Sequence, residues 1–510
     1  MKSSDLFDKA GHAESSQKIT EWRLATNHLN LFFMLGAGLI LPSNAFGDKY
    51  YSDSLSVAPG WLPLFTGKPA DGLIEHCCSE ASHLIPCIVV LNLSSLSGPV
   101  HRWAADGSVQ SEMFESAEFD DSDWLMLKAP LPLGCIERIE VRDMAAKKAL
   151  LDSAKDLRNV DLGGFDIRAR KPSFSPSKER AWSEDSTDLE RVELNMSELG
   201  AVGAFLALCV KLADRSENLS YMYDFFVGGE VKAGIAPLLS VIGDWLHCGS
   251  PGEDLNQSAK LLWDLHSAIQ GDEDDSLNSA VVTYLERLVP GMDGKAKVAT
   301  QSLVDDLRGI ERLTEKTEQE LLAAHNKPLS RALILAFLHT EFIDFLEFDK
   351  VALGDEEFLI AAFLLASSQG WLQMPEQLRN IPGLHPAISF KMAEFAHRML
   401  GSGLDLGPVP AFPRSLRKLF EPGKSGLSKS QRQAAVKIAK EMNWEIIQTH
   451  IRLPKGSYDL QVTPRGLHLR IPGEADVVEL VVDGKELLER LGSTVLPSSL
   501  EAETRSKLGA

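Results

Sequence analysis

The chain has 510 residues, of which 44% are apolar and 24% are charged, and its formal net charge at neutral pH is −20. This composition excludes global disorder and is typical of two or three globular domains. The acidic balance also excludes a protein that coats nucleic acid nonspecifically, because the chain as a whole repels phosphate.

Neither a membrane span nor a secretory leader is expected. No apolar run reaches the roughly 18 residues that a membrane span needs, and the apolar stretch 29–42 follows an acidic, mixed-polarity segment. The six cysteines form no CxxC pair, which is typical of a reducing cytoplasm, where we expect the protein to act. Cys77, Cys78, His83 and Cys87 are close in sequence, but adjacent cysteines fit one tetrahedral zinc poorly, so no metal is expected.

The first 170 residues have the pattern of an α+β domain. Residues 21–40 predict a strand that runs into a short apolar helix ending at Gly38. Residues 123–141 predict a strand, a turn marked by two prolines, and a second strand. Other predicted elements are a β-branched strand at 88–94 and a helix at 145–157.

The middle of the chain is predominantly helical. Residues 171–190 are rich in serine, proline and charge and predict a linker. From 191 to about 450 the apolar residues recur at helical spacing, which predicts a large helical domain. The clearest predicted helices are 198–213, 276–289, 329–348 with Ser330 as its cap, 356–372 and 428–444.

The end of the chain changes pattern again. Residues 451–495 predict a small α/β element, with two strands in 458–471 and a strand followed by a helix in 476–491. Residues 496–510 predict a frayed tail. The expected fold class is therefore an α+β N-terminal domain, a large mainly α domain and a small C-terminal α/β element.

Positive charge is concentrated before this last element. Residues 414–440 carry three Arg and five Lys against one acid, and basic residues continue to 470. Such an island predicts a docking surface for nucleic acid or for an acidic protein; the alternative is a solvated helix face that complements an acidic patch such as 272–275. The residues expected to make the contact are Arg414, Arg417, Lys418, Lys429, Arg432 and Lys437.

Two stretches carry a family resemblance. NLFFMLGAGL at 30–39 and DWLMLKAPLPLGCI at 123–136 resemble the framework of DNA-targeting ADP-ribosyltransferases of the DarT type over residues 20–170. The resemblance implies an ADP-ribosyltransferase-like fold and NAD as the cofactor. In that family a His at the end of the first strand helps to hold NAD, and a Glu on a later strand is catalytic. The aligned positions here are Asn27, with His28 next to it, and Asp123, so both have changed.

These two changes leave two interpretations of ADP-ribose transfer by this domain, one active and one inactive. Transfer of ADP-ribose needs a fixed carboxylate beside an oxocarbenium-like centre. Asp123 keeps the charge but is one methylene shorter than Glu, and misplacing a reacting group by about 1 Å can cost about a hundredfold in rate. Alternatively, Asp123 is one of several solvated acids in 118–123, and His28 caps the helix that starts near Leu29.

Three aromatic residues lie in the loop 47–65, which the resemblance places over the cleft: Tyr50, Tyr51 and Trp61. Their rings are suited to stacking on a nicotinamide or a base. The alternative is that these rings, which lie near Pro59 and Pro63, simply pack the loop against the domain.

The sequence lacks the other common catalytic motifs. Gly423-Lys424-Ser425 lacks the leading glycine of a phosphate-binding loop, and no GxGxxG follows a predicted strand. His339 and Glu341 form an H-x-E pair without the P-C-x-x-C partner of zinc deaminases. HExxH and GxSxG are also missing from the sequence. The sequence therefore favours no classical hydrolase, kinase or oxidoreductase.

The leading hypothesis is a nucleic-acid- or partner-binding subunit of a bacterial multi-protein system, built on a degenerate ADP-ribosyltransferase-like domain plus a helical platform. Its anti-phage defence context comes from the family resemblance alone. The alternative is an active NAD-dependent ADP-ribosyltransferase that modifies a nucleic-acid base or a protein. A third hypothesis is a structural role in which the basic stretch meets an acidic protein.

Overall fold

A computed structural model describes residues 21–46, 50–104, 106–117, 119, 123–155, 157, 160, 162–178, 180–183, 189–213, 237–253, 255–270, 277–309, 315–339, 341–342, 345, 354–375, 384–407, 445–447, 450–452, 459–463, 466–470 and 477–480. Of these, 211–213, 315–319, 384–386 and the strands from 445 onward are described by their backbone.

The first strand and helix form where the sequence predicts them. Strand β1 (Glu21–Asn27) leads directly into helix α1 (His28–Ala37). The helix ends at Gly38, whose φ of 80° is the left-handed conformation that glycine adopts most easily. Asn27 supplies the N-terminal cap, since its side chain accepts a hydrogen bond from the backbone of Asn30. The alternative that His28 caps the helix is wrong, because His28 is its first residue.

An eight-stranded sheet forms the N-terminal part, in the order β10-β9-β4-β1-β3-β7-β5-β6. All neighbouring strands are antiparallel except β9 and β10. The remaining strands up to β10 are β2 (Leu39–Ile40), β3 (Trp61–Phe65), β4 (Pro86–Asn92), β5 (Pro99–Trp103), β6 (Val109–Met113), β7 (Trp124–Lys128), β8 (Leu131–Pro132), β9 (Ile136–Val141) and β10 (Ile167–Ala169). Helices α2 (Leu73–His76) and α3 (Met144–Ala154) complete this part.

The two faces of the sheet are buried against different elements. The inner face, which includes Trp22, Leu24 and Leu125, belongs to a core that continues into the helical part. The outer face, which includes Phe65 and Trp124, forms a separate core. Alternation along each strand sends successive side chains to opposite faces, which is why neighbouring residues such as Trp124 and Leu125 join different cores.

The outer face lies under the described part of residues 171–192 (171–178, 180–183 and 189–192), the covering segment. This segment includes the residues that the sequence predicts to be a linker, and its Phe174, Trp182 and Val192 pack into the outer core. Main-chain hydrogen bonds fix it at two places, from Trp182 N to Asp71 O (2.7 Å) and from Val192 N to Pro59 O (3.3 Å). The described part of the predicted linker is therefore packed on the sheet.

The described residues between 196 and 399 are mainly helical, as predicted. The predicted helix at 329–348 is shorter in the structure: it begins at Pro328 after a Lys327 cap and ends at Leu338. The helices are α4 (Met196–Ala213), α5 (Pro237–Cys248), α6 (Gln257–Gln270), α7 (Leu277–Leu288), α8 (Gly294–Gly309), α9 (Glu315–Ala324), α10 (Pro328–Leu338), α11 (Asp355–Gln369) and α12 (Leu384–Met399). Within the described ranges, no helix is long and apolar enough to cross a membrane.

A five-stranded antiparallel sheet follows, in the order β11-β12-β13-β14-β15. Its strands are Glu445–Ile447, His450–Arg452, Asp459–Thr463, Gly466–Arg470 and Val477–Leu480. The two strands predicted in 458–471 are β13 and β14, whereas β11 and β12 were not predicted. The predicted helices at 428–444 and after 480 lie outside the described residues. In its described residues the chain thus has a sheet-and-helix part, then a helical part, then the five-stranded sheet. The finer domain boundaries remain predictions.

Candidate functional site

The junction of β1 and α1 holds two predicted cofactor-binding residues. Asn27 is fully buried, and its Oδ1 accepts a hydrogen bond from Asn30 N (3.0 Å). Its Nδ2 is buried and has no hydrogen-bond partner among the described residues. Such a donor suits a ribose hydroxyl, but the oxygen of the same amide is committed to the helix.

His28 is also held in place by its neighbours. Its backbone N–H donates to Ile85 O (2.9 Å), and its Nδ1 accepts from Ile85 N (3.2 Å). Burial, together with the nearby His83, lowers the pKa of His28 to about 4, so the imidazole is neutral at physiological pH. This neutral ring accepts from the backbone of Ile85, the residue before β4, and so helps to hold the fold.

A buried carboxylate that the sequence did not reveal lies beside this junction. Asp53 is fully buried, and its Oδ2 accepts hydrogen bonds from Thr26 Oγ1 (2.5 Å), Tyr50 OH (2.7 Å) and Asn30 Nδ2 (2.9 Å). Its Oδ1 accepts from Leu55 N (2.9 Å). These contacts fix the loop 50–57 against β1 and α1.

Burial raises the pKa of Asp53, although the hydrogen bonds from Thr26, Tyr50 and Asn30 oppose that rise. Burial and the Asp53 charge also raise the pKa of Tyr50, which therefore stays a phenol that donates to the carboxylate. Tyr50 stacks on Phe46, with ring centroids 5.3 Å apart. The ring predicted to stack on a cofactor is thus engaged within the loop.

Tyr51 occupies the outer part of the same cluster. Its backbone forms two hydrogen bonds with the side chain of Asn30, at 2.7 and 3.1 Å. Its ring meets His83 edge to face, with centroids 6.3 Å apart. The structure therefore brings together four of the predicted cofactor residues: Asn27, His28, Tyr50 and Tyr51.

Trp61 does not join this group. Its side chain is buried in the outer core, donates from Nε1 to Glu190 O (2.8 Å) and packs edge to face against His101. The covering segment therefore lies over this ring. Trp61 packs its loop against the domain, as the alternative interpretation predicts.

Asp123, the predicted catalytic residue, begins a second group. It precedes β7 and is almost fully buried. Its Oδ2 lies 3.7 Å from Arg102 Nη1, and Arg102 also pairs with Glu112 (2.8 Å). The alternative that Asp123 is a solvated acid is therefore wrong, because the carboxylate is buried beside a guanidinium.

The strand register separates the two groups. Trp124 is aligned through Phe65 with Arg23 of β1. Asn27 lies four residues beyond Arg23 in one direction, and Asp123 lies one residue from Trp124 in the other. Five residues at about 3.3 Å each correspond to about 16 Å along the strands. The two family positions thus do not form one compact centre, and together they fit an NAD-cleaving site poorly.

Two further polar clusters are buried. On the outer face, Arg138 bonds both oxygens of Glu21 (2.8 and 3.0 Å) and Oε1 of the fully buried Glu140 (2.7 Å), while Arg23 lies 3.6 Å from Glu140 Oε2. The network therefore links β9 to β1 across the intervening strand β4, and it balances the buried charge of Glu140. The sequence did not single out any of these residues.

The second cluster lies among the helices. His266 of α6 approaches Ser367 Oγ (2.7 Å) through Nδ1 and Glu198 Oε1 (3.2 Å) through Nε2. This resembles a nucleophile triad, but Ser367 Oγ also donates to Phe363 O (2.7 Å), and three aromatic rings surround the imidazole. The serine lies within a helix, so its amide is not an oxyanion donor. The cluster connects α4, α6 and α11.

The predicted basic contact residues Arg414, Arg417, Lys418, Lys429, Arg432 and Lys437 lie outside the described residues. In the part of the chain that the structure describes, no three His, Cys, Asp or Glu side chains are grouped as metal ligands.

No protein-family model matches the chain, and no curated protein matches it. Solved structures that the chain is similar to include DarT from Thermus sp. 2.9 in complex with carba-NAD+, at 15% identity and a TM-score of 0.24, covering 31% of this chain and 98% of that one. The same DarT in complex with ADP-ribosylated ssDNA gives 13% identity and a TM-score of 0.24, covering 31% and 96%. Its complex with NAD+ gives 15% identity, the same TM-score, and 31% and 98% coverage. The chain's structural neighbours are thus of the type that its sequence resembles.

Proposed function

We propose that this chain is a binding subunit of a bacterial multi-protein system, in which a degenerate ADP-ribosyltransferase-like domain and a helical platform hold nucleic acid. The observation that carries the proposal is the state of the two family positions. Asn27 Oδ1 caps a helix, and the Asp123 carboxylate lies beside an arginine in a separate group.

The physical argument concerns the electrostatics of transfer. A catalytic carboxylate stabilises developing positive charge when it is aimed at the reacting ribose before reaction. At Asp123 the guanidinium of Arg102 already offsets that charge, and the shorter side chain of Asp sets the carboxylate back. We therefore infer that NAD, where it binds, is not cleaved.

Nucleic acid is the partner proposed for region 414–470, because its residues 414–440 carry eight basic residues against one acid, and such an island attracts phosphate even in an acidic chain. One DarT structure contains ADP-ribosylated ssDNA, which makes single-stranded DNA the first probe to use. The proposed setting, a cytoplasmic defence system that handles foreign nucleic acid, extends the family resemblance.

The binding experiment is a fluorescence anisotropy titration of labelled single-stranded DNA over a range of salt concentrations. Charge reversal at Arg414, Arg417 and Lys418 should weaken binding and reduce the salt slope by roughly three, since each lost phosphate contact removes about one unit. The matched control reverses three exposed lysines elsewhere, Lys148, Lys155 and Lys178. Unchanged binding by the first variant, or an equal loss in the control, contradicts the assignment.

An active transferase is the second candidate, and the burial of the Asp123 carboxylate favours it. Incubation of the protein with labelled NAD and mixed DNA, RNA and lysate separates the two functions. We expect no label transfer. Transfer that disappears in Asp123→Ala overturns the non-catalytic proposal. Capture of an acidic protein after nuclease treatment, without DNA binding, supports the structural role instead.

A further inference from the structure

The helical part holds a buried histidine whose hydrogen bonds determine its protonation state. His266 of α6 is 2% exposed, and its partners Ser367 of α11 and Glu198 of α4 are 5% and 9% exposed. Nδ1 of His266 lies 2.7 Å from Ser367 Oγ, and Nε2 lies 3.2 Å from Glu198 Oε1. Each of these two contacts needs one hydrogen between its heavy atoms.

The contact at Nδ1 requires a hydrogen on the ring. A serine hydroxyl has one hydrogen to donate, and that of Ser367 goes to Phe363 O (2.7 Å). Ser367 Oγ is therefore the acceptor of the contact with His266. It follows that Nδ1 of His266 carries a hydrogen.

The contact at Nε2 requires a second hydrogen. The ring N–H of Trp245 donates to the same Glu198 Oε1, and an ionised carboxylate has no hydrogen of its own. Burial raises the pKa of Glu198, but the hydrogen bond and charge of His266, with the hydrogen bond from Trp245, outweigh burial and lower that pKa. The carboxyl is therefore the ionised partner, and His266 is an imidazolium with both nitrogens protonated.

The aromatic rings around His266 also favour its charged form. The ring centroids of Phe363, Trp263 and Trp245 lie 4.9, 5.1 and 5.3 Å from the imidazole centroid. Aromatic faces at such distances stabilise a cation. The carboxylate of Glu198 then balances the charge of the ring within the same buried cluster.

Among the described residues, other ionisable groups on the surrounding helices have their own partners, are exposed or lie farther along. The partnered groups are Asp264 with Tyr284 (2.6 Å), Asp244 with Gly252 N (3.4 Å), Glu286 with Arg308, Glu357 with Arg331 (3.0 Å), Lys391 and Arg398 with Glu394 (2.7 and 3.0 Å), and His397 with Pro130 O (2.8 Å). Lys260, His247, Cys248 and Arg287 are exposed. Asp355 and Glu356 of α11, and the buried thiol of Cys209 in α4, lie about 16 Å or more along their helices from the cluster, at roughly 1.5 Å per residue.

Glu198 occupies a point where the sheet-and-helix part joins the helices. It lies in the first turn of α4, and its backbone N–H donates to Asn195 Oδ1 (3.1 Å). The covering segment ends at Val192, just before this helix, and Val192 N is bonded to Pro59 O. A contact that holds Glu198 therefore holds the start of α4 beside the sheet.

We propose that Glu198 and His266 share one buried proton and form a latch that joins the start of α4 to α6, and that loss of this proton to solvent at alkaline pH opens the latch. Without the proton, the Nε2 lone pair faces a carboxylate oxygen, and the buried charge of Glu198 has lost its counter-charge, which is costly. The inference goes beyond the proposed function and does not rest on it, because it concerns the helices alone.

The direction of the pH effect follows from the number of protons bound. An unfolded histidine releases its proton near pH 6.5, whereas the latch retains it, so above this pH the folded chain binds one proton more. The contribution of the latch to stability is complete at about pH 6.5 and decreases as the pH rises, by about tenfold in the folding equilibrium constant per pH unit. Because the pKa of Glu198 is lowered, its contribution also decreases as the pH falls below about 4.3.

Nuclear magnetic resonance tests the protonation state directly. Long-range ¹H–¹⁵N correlation spectra of the full-length protein, labelled with ¹⁵N-histidine, distinguish protonated from bare ring nitrogens, and His266→Gln identifies the His266 signals by removing them. At pH 7.5 both nitrogens of His266 should be protonated. In Glu198→Gln the amide donates to Nε2, so the ring should become neutral with its hydrogen on Nδ1. A neutral His266 ring in the wild type overturns the proposal.

Urea denaturation at pH 7 and pH 8 tests the latch. The unfolding equilibrium constant of the wild type should rise about tenfold more between these pH values than that of Glu198→Gln. The matched control Glu394→Gln removes a carboxylate paired with Lys391, so it should keep the wild-type pH dependence. An equal rise in the wild type and Glu198→Gln overturns the latch. Circular dichroism establishes folding, and His266→Gln, which does not titrate either, takes the place of Glu198→Gln in this comparison if the latter does not fold.

Discussion

A single carboxylate, that of Asp53, joins three segments of the N-terminal part. It receives hydrogen bonds from Thr26 at the end of β1, from Asn30 in α1 and from Tyr50 in the following loop. A fully buried acid is costly unless every oxygen is satisfied. Here both oxygens are, so the side chain determines where the loop lies on the sheet.

Asp53→Ala should therefore destabilise the protein by about 3 kcal/mol, because it leaves buried donors of Thr26, Asn30 and Tyr50 unsatisfied. Urea denaturation followed by far-UV circular dichroism measures this loss. The matched control is Asp71→Ala, which removes an exposed carboxylate. A loss below about 1 kcal/mol, within the range of surface substitutions, would mean that the cluster does not hold the loop.

Features that depend on neighbouring residues could be predicted from the sequence, whereas contacts between residues far apart in the sequence could not. The strand–helix unit and its end at Gly38 follow from spacing and from one glycine. The role of Asn27 as a cap depends on its neighbour three positions on, so it also lies within reach of sequence reasoning. Asp53 is 27 positions from Thr26, and its sequence context is that of an ordinary polar loop residue. A long-range hydrogen bond leaves no such local pattern.

Among elements, the covering segment shows how composition can mislead. A stretch rich in serine, proline and charge, such as 171–190, is typical of a linker. Its described residues nevertheless pack on the outer face of the sheet. The sequence clue was the presence of Phe174 and Trp182, two large apolar rings in an otherwise polar stretch. At its end, Val192 approaches Gly60 so closely that a Cβ on Gly60 would lie 2.3 Å from Val192 O.

Two glycines with the same backbone conformation test this contact. Gly60 and Gly107 both have φ of +87°, but nothing lies within 4 Å of a Cβ on Gly107. Gly107→Ala should cost about 1 kcal/mol from the left-handed backbone alone. Gly60→Ala should cost about 3 kcal/mol, because it also displaces Val192 and its hydrogen bond to Pro59. Chemical denaturation measures both. Equal losses in the two variants would show that the segment is loosely attached.

Helix ends were the least predictable elements. Apolar spacing continues past residue 338, so the pattern favours one helix through 348, but the backbone of His339 (φ −118°, ψ 70°) leaves the helical region. No proline or glycine marks this point. The local sequence therefore does not mark this end, and helical residues return at Phe342 and Phe345. Helix α11, at Asp355–Gln369, matches its predicted range more closely.

At the scale of the molecule, the sheet and the helices share one apolar core. Polar contacts reinforce the junction: Leu133 N donates to Ser389 Oγ (2.7 Å), His397 Nε2 meets Pro130 O (2.8 Å), and Ser97 and Asp405 exchange two main-chain hydrogen bonds of 2.9 Å. The helical platform therefore depends on the sheet for burial, and we expect both to unfold in one transition.

His397 makes this junction sensitive to acid. Burial lowers its pKa to about 4, while the hydrogen bond to Pro130 opposes this lowering. The folded protein thus binds this proton more weakly than the unfolded chain, whose His titrates near 6.5. The contribution of His397 to stability is complete above about pH 6.5 and decreases as the pH falls toward 4. Protonation leaves Ser402 facing a charged ring in a buried site.

The variant His397→Gln tests this mechanism, because Gln keeps a donor for Pro130 and does not titrate. Between pH 7.5 and 5 the wild type should lose about 2 kcal/mol more of its unfolding free energy than this variant. Urea denaturation at the two pH values gives the difference. His247→Gln, which changes an exposed histidine, should retain the wild-type dependence. If His397→Gln lost stability as steeply as the wild type, the acid sensitivity of the molecule would lie elsewhere, with His28 the next residue to replace, since burial lowers its pKa to about 4 as well.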